Sequence, residues 1–440
     1  MSFQRYERYK ESGVEWLGEV PEGWEVLPLK RSFNIVGGST PKSDQEAYWD
    51  GEIVWVTPSD LSKLQSLYIS DSQRKITDNG LASCGASLVP VNSIILSTRA
   101  PIGSLAITDT EMCTNQGCKS LVPNNAADAK FYGYLLSNSS TELNIRGKGT
   151  TFLELSGDEL GAFKVPFPPL PEQLTIAAFL DCETGKIDAL VAEQERLIAL
   201  LKEKRQASIS HAVTKGLNPA APMKNSGIEW LGEVPEAWEV LPLKRDLEFL
   251  TSGSRGWAEH YADDGALFIR IGNLTRDSIR LDLSDIQRVA VPDGTEGERT
   301  KVQPGDVLFS ITAYLGSIAI VPENLEPAYV SQHVALARLG KQYLLPEWVG
   351  YVALSYVGKT YLETQGYGGT KIQLSLDDVA NLVMTQPAIK EQSAIVDFLD
   401  SETAKIDTLV GEAQQAIGLL KERRSALISA AVTGKIDVRG

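Results

Sequence analysis

Nowhere in the 440 residues does an apolar run approach the roughly 18 residues that a membrane-crossing helix needs. The opening MSFQRYERYKESG is polar and charged and lacks the apolar stretch of a secretion signal. A cytoplasmic protein with no membrane partner is expected. Cysteine is scarce: Cys84, Cys113, Cys118 and Cys182 form no CxxC pair, and His211, His260 and His333 stand far from them in sequence. That spacing argues against a bound metal and for reduced, mostly buried thiols. Positive charge is also short, with 42 Lys and Arg against 57 Asp and Glu and a net charge of −15. Nucleic-acid binding leans on basic side chains at phosphates, so composition alone disfavours a DNA partner. Any DNA face must be a local patch or be completed by other subunits.

What is present is an ordinary globular composition, 43% hydrophobic and 22% charged. The chain is too long for one core, which usually stops growing near about 250–300 residues, so two or more domains are expected. An internal repeat organises them. Ser12 to Arg31 reads SGVEWLGEVPEGWEVLPLKR, and Ser226 to Arg245 repeats it except at Val14/Ile228 and Gly23/Ala237. A second block, EQLTIAAFLDCETGKIDALVAEQERLIALLKEKRQASISHAVTKG from Glu172, recurs from Glu391 as EQSAIVDFLDSETAKIDTLVGEAQQAIGLLKERRSALISAAVTGK. The chain is thus a tandem duplication. Between the blocks only a skeleton agrees, as in SIILSTRAPIGSLAI from Ser93 against DVLFSITAYLGSIAI from Asp306, or GKGTTFLELSGDEL from Gly147 against GYGGTKIQLSLDDV from Gly366. Framework is kept and content diverges; a duplicated enzyme would keep its chemistry in the similar parts, and here those parts read as scaffold.

The second block reads as a long helix in each copy. Ile187, Leu190, Val191, Gln194, Leu197, Ile198, Leu201 and Ile209 recur at three- and four-residue spacing, as do Ile406, Leu409, Val410, Ala413, Ile417, Leu420, Leu427 and Ile428. A proline-rich approach precedes each, and Gly216 or Gly434 ends it. Such a helix packs either on its own domain or on its near-copy, whose apolar stripe matches it. About 26 helical residues at about 1.5 Å each span roughly 40 Å, close to one turn of B-DNA at about 34–36 Å. Short apolar runs in the intervening regions suit strands at Ile53 to Val56, Ser93 to Ser97, Leu105 to Thr108, Val307 to Ile311 and Ile318 to Val321. Helical pieces are expected at Ala129 to Ser137 and Pro346 to Tyr356.

These features resemble the specificity subunits of type I restriction-modification systems over essentially the whole chain. The resemblance rests on SG(V/I)EWLGEVPE(G/A)WEV, on GGSTPK followed by YWDGEIVWVTPSDL (Gly37 to Leu61), and on the run from Arg99-Ala-Pro-Ile-Gly to Thr114-Asn-Gln-Gly. It rests too on PPLPEQ leading into FLD, KID and LLKEKR (Pro168 to Arg205) with its second copy. It implies an α+β fold: two small α/β target-recognition domains (1–168 and 218–387) and two spacer-helix regions (169–217 and 388–440) that pair as a long antiparallel two-helix coiled coil about a pseudo-twofold. It further implies a non-catalytic subunit that reads double-stranded DNA, one half of a bipartite asymmetric site per domain. Two modification subunits and two restriction subunits would be its partners, bringing S-adenosylmethionine, ATP and Mg2+, with no cofactor or metal in this chain.

Base reading needs side chains that fork: Arg or Lys for guanine, Asn or Gln for adenine, with Ser and Thr more permissive. Candidates in the first domain are Ser39, Thr40, Lys42, Arg99, Asn115, Gln116, Lys148, Thr150 and Thr151. In the second they are Ser254, Arg255, Thr312, Tyr314, Gln332, His333, Thr370 and Lys371. The second domain departs from the first, with Ser331-Gln-His333 where the first has Thr114-Asn-Gln116. Taken singly, each candidate is equally a turn residue or a solvated side chain. Trp16, Trp24, Trp230 and Trp238 lie in the near-identical blocks and read as packing anchors. The clusters Lys202, Lys204, Arg205 and Lys421, Arg423, Arg424 suit either a contact with DNA or a partner, or a solvated helix face.

Two other functions compete with that one. An enzyme fused to its own reader would need a methylation, nuclease, metal or nucleotide motif. The chain has no (D/N)PP(Y/F), no PD with (D/E)xK and no GxxxxGK(S/T), since Gly368-Gly-Thr-Lys371 lacks that spacing. A protein-binding adaptor would take the acidic charge at face value, and it predicts no sequence-dependent DNA affinity even with partners present.

Overall fold

The structure is a computed structural model that describes residues 3–64, 66–99, 101–149, 153–253, 255–291, 295–366 and 373–439. It divides into two compact units, Met1–Gln194 with Gln415–Gly440, and Glu195–Gln414. Each unit therefore takes half of each long helix, Leu170–Lys215 and Ile389–Val432.

The first unit is built on a five-stranded sheet in the order Phe33–Gly37, Cys118–Pro123, Ile94–Ser97, Leu105–Thr108, Tyr68–Ile69, antiparallel except at its last pair. Both faces are covered. Ile94 and Leu96 point into the cluster of Phe131, Leu135 and Phe163, whereas Ile95 points into that of Val54, Val56 and Met112. This is why the strand is a continuous apolar run rather than an alternating one. A smaller sheet joins Cys113–Thr114, Trp49–Val56 and Lys75–Ile76. The second unit repeats the plan with the four strands Leu247–Ser252, Val334–Leu339, Val307–Ser310 and Ile318–Ile320. Beside it lies a sheet of Tyr261–Ala262, Arg288–Val289, Ala266–Ile269 and Ala328–Val330. The expected strand Leu105–Thr108 and helix Ala129–Ser137 are found as read; Pro346–Leu354 ends sooner, at Ser355, where a second helix, Tyr356–Gln365, begins.

The repeated blocks prove to be framework. Trp24 and Trp238 are 1% exposed. Each lies against the glycine after a long helix, Trp24 on Gly434 and Trp238 on Gly216, at φ of +73° and +74° respectively. Only glycine takes that left-handed turn without strain. The strand after each Trp pairs with the strand before a long helix, Glu25–Pro28 with Lys164–Phe167 and Glu239–Pro242 with Val383–Gln386.

The helices are longer than their apolar spacing implies, 46 and 44 residues rather than about 26. Pro171 sits in the first turn, where a missing N–H costs nothing, so the helix starts there and not at Ile187. Those added turns pack on the unit's own core through Ile176, Ala177 and Leu180. Within the first unit the chain runs antiparallel to the first helix: Asp188 meets Arg424 of the second helix at 2.8 Å, and Glu172, at the first helix's start, meets Arg439, beyond the second helix's end, at 3.8 Å. The second unit has the equivalent pair, Arg205 with Asp407 at 2.6 Å. Arg205 and Arg424 are thus occupied by interhelix ion pairs, which leaves only Lys202, Lys204, Lys421 and Arg423 exposed from the two basic clusters. All four cysteines are free; Cys113 and Cys118 are buried, but Cys182 is exposed on its helix, against the expectation of mostly buried thiols.

Candidate nucleic-acid interface

In the first unit three loops meet at one end of the large sheet. Gly38 leaves its strand so close to the turn at Thr114–Asn115 that an added Cβ would lie 2.5 Å from the Asn115 carbonyl carbon and closer still to its oxygen. Glycine is required here by approach, not by backbone angle. Ser39 N–H donates to Thr114 O at 2.9 Å, and Trp55 Nε1–H donates to Ser39 O at 2.9 Å. Asn115 N–H donates to Val56 O at 2.9 Å, while its side-chain oxygen accepts from Gly117 N–H at 2.9 Å. The Thr40 hydroxyl bonds to the Gln116 amide oxygen. Ser39, Thr40, Asn115 and Gln116, spread over the sequence, are brought together.

The third loop is tied on through Thr98, whose N–H donates to Gly117 O at 2.8 Å and whose O accepts from Leu155 N–H at 3.0 Å. Arg99 follows, with Nη2 donating to both carboxylate oxygens of Glu154 at 2.9 Å. Lys148 pairs with Glu159 at 2.5 Å, and that ammonium holds the Glu159 carboxyl below its ordinary range. Lys42 is exposed and, among the described residues, has no carboxylate partner. Thr150 and Thr151 lie outside the described residues.

The second unit repeats the backbone and changes the side chains. Gly253 is pressed on the carbonyls of Val330 and Ser331 as Gly38 is on Asn115. Leu374 N–H donates to Ile311 O at 2.9 Å, and Ile311 N–H to His333 O at 3.1 Å, matching the bonds made through Thr98. Arg255, Thr312, Gln332 and His333 line one cavity of about 630 Å³ together with Gln373. Gln332 Nε2 and His333 Nε2 are 3.0 Å apart. Tyr314 is 61% exposed beside Ala313, which is held at φ +60°. An alanine in that region is strained, and such strain clusters at binding loops. Ser254, Thr370 and Lys371 lie outside the described residues.

Reading by residue type did not single out Glu154 or Gln373, because acidic and amide side chains on loops carry no signal alone. It also did not assign Gln173 and Gln392 inside the repeated EQ. Both are fully buried and make the same three bonds. Gln173 accepts from Asp128 N–H at 2.8 Å and donates to Ala126 O and Pro168 O; Gln392 accepts from Leu345 N–H at 2.9 Å and donates to Tyr343 O and Pro387 O. The FLD aspartates bond to Tyr134 at 2.8 Å and Tyr351 at 2.5 Å. These clamp each long helix to the domain that precedes it in the chain. Among the described residues no group of three or more His, Cys, Asp or Glu is placed to hold a metal ion, and no helix is long and apolar enough to cross a membrane.

The family model for the type I restriction modification DNA specificity domain matches residues 21–197. The specificity subunit of the type I restriction enzyme MjaIX of Methanocaldococcus jannaschii is 28% identical over 302 residues, covering 67% of each chain. The EcoBI specificity subunit of Escherichia coli is 25% identical over 330 residues, covering 73% of this chain and 69% of that one. A solved structure concerned with complex assembly and conformational transition of the type I R-M system contains a chain of the same fold. Its TM-score is 0.73 at 18% identity, over 94% of this chain and 98% of that one.

Proposed function

Since the chain belongs to the specificity subunits of type I restriction-modification systems, which are non-catalytic, we propose that each unit reads one half of a bipartite, asymmetric double-stranded DNA site. The observation that carries this reading is the loop cluster: the same three loops meet in both units through equivalent backbone bonds, while the side chains they present differ. A fixed backbone positions, and variable forked donors and acceptors specify. Among the described residues Lys42 and Arg255 form no ion pair that a phosphate would have to break, whereas Arg99 and Lys148 are partly neutralised by Glu154 and Glu159. With a net charge of −15, the chain's DNA channel is completed by basic surface of its partners.

Two modification subunits dock on the helices and bring S-adenosylmethionine; two restriction subunits bring ATP and Mg2+, all in the cytoplasm. Matched exposed leucines support two equal docking faces, Leu190 (51%) and Leu419 (59%) in the first unit, Leu409 (46%) and Leu200 (53%) in the second. The helices set the unspecified spacer. Exchanging residues 32–165 for another such domain is expected to change the bases of one half-site alone. Inserting one helical turn between Ile187 and Ile209 is expected to change the spacer and neither half-site. A change of half-site bases on that insertion would contradict the ruler.

A further inference from the structure

At one place in the loop cluster the two units share a backbone and differ completely in chemistry. Arg99 and Glu154 form an isolated antiparallel bridge in the first unit, and Thr312 and Gln373 form the same bridge in the second. Each bridge adjoins the equivalent hydrogen bond, Leu155 N–H to Thr98 O or Leu374 N–H to Ile311 O. The Arg99 and Glu154 side chains are 43% and 40% exposed. Among the described residues the guanidinium is engaged through Nη2 alone, on both Glu154 oxygens, which leaves the donors on Nε and the other terminal nitrogen for a base edge. Thr312 and Gln373 line the cavity of about 630 Å³ and carry no charge.

We propose that these two positions form a specificity determinant that reads one base pair in each half-site, G·C through Arg99 and Glu154, and A·T through Thr312 and Gln373. The inference rests on the DNA-reading function proposed above. In the major groove guanine shows two acceptors, O6 and N7, and its partner cytosine shows the N4 donor. A guanidinium beside a carboxylate is the complement of that edge: Arg99 donates to guanine, and Glu154 accepts from cytosine while holding the guanidinium in place. Adenine shows the N7 acceptor and the N6 donor, which one carboxamide satisfies, and thymine shows a methyl group. Gln373 supplies the carboxamide and Thr312 a methyl. Glu154 is therefore a positioning residue as well as a contact, and Gln373 is a contact.

The test uses the full chain assembled with its modification subunits and S-adenosylmethionine, assayed on duplexes carrying each of the four base pairs at every specified position. The wild type is expected to require G·C at one position of the half-site read by the first unit. R99T/E154Q is expected to move that preference to A·T, a change of roughly 5- to 150-fold in relative methylation rate, with the other half-site unaltered. T312R/Q373E should gain a G·C preference in the other half-site. E154D, which keeps a carboxylate on the guanidinium, should retain the G·C preference that E154Q weakens. If R99T/E154Q weakens methylation without assembling less complex, selective weakening at one G·C position supports the proposal and uniform weakening at all positions overturns it. An unchanged preference, or a first half-site without a G·C pair, also overturns it. A wild-type complex that methylates no bipartite motif refutes the proposed function itself and takes this inference with it.

Discussion

Replacing Gly38 by alanine probes the convergence of the recognition loops most sharply. The new Cβ would sit 2.5 Å from the Asn115 carbonyl carbon, where real contacts essentially never fall under 3.0 Å. Because the oxygen is nearer still, the Gly38 loop and the Asn115 turn must separate by about 1 Å. That movement stretches the Ser39 N–H to Thr114 O bond, now 2.9 Å, to about 4 Å, beyond hydrogen-bonding range. Overpacking costs about 1–3 kcal/mol and breaking the bond about 0.5–1.5. For a unit of this size, at about 2–4 °C per kcal/mol, the melting midpoint should fall by roughly 3–18 °C. The functional cost is separate, since Ser39, Thr40, Asn115 and Gln116 are displaced together. Discrimination at the bases they read should fall by roughly 5- to 150-fold for each forked hydrogen-bonding pair that is broken. Calorimetry of the chain and methylation rates on base-substituted duplexes read the two effects. G253A should do the same to the other half-site. A G38A chain that melts with the wild type and keeps its base preferences would refute the convergence, as would a defect in the wrong half-site.

Three further outcomes are expected. Gln173→Ala or Gln392→Ala strips three hydrogen bonds, one buried and two partly buried, so each should cost about 1.5–4.5 kcal/mol in denaturant titration; a loss below about 1 kcal/mol would contradict the clamp. A maleimide should label exposed Cys182 quickly. Cys113 and Cys118, whose thiol pKa burial pushes up to about 12, should react only on unfolding, as mass spectrometry of the labelled peptides will show. The isolated chain should bind DNA weakly and with strong salt dependence, gaining affinity when modification subunits are added; tight, salt-insensitive binding in fluorescence anisotropy would contradict the shared channel.

The architecture was legible because duplication prints itself in sequence. Two near-copies of an apolar stripe announce two long helices, and paired tryptophans announce packing anchors, since Trp24 and Trp238 need the same pocket twice. Helix length was under-read because the turns around Leu180 bury toward the domain core, so their spacing does not extend the later stripe. The loop cluster was partly legible: residue chemistry nominates Asn115, Gln116, Gln332 and His333. It does not nominate Glu154 or Gln373, whose roles come from a partner across a β-bridge rather than from their neighbours in sequence. Arg205 was ambiguous for the same reason. A basic residue near a helix end has many uses, and only the position of Asp407 decides among them.

The central claim is that one chain reads two different half-sites. Its most direct test is to co-express the chain with its modification subunit in a host lacking adenine methylation and map methylated adenines across the genome by single-molecule sequencing. One bipartite, asymmetric motif with a fixed spacer, methylated on both strands, is the predicted result. A stable complex that leaves no motif, or a palindromic motif implying identical reading by both units, would contradict the account.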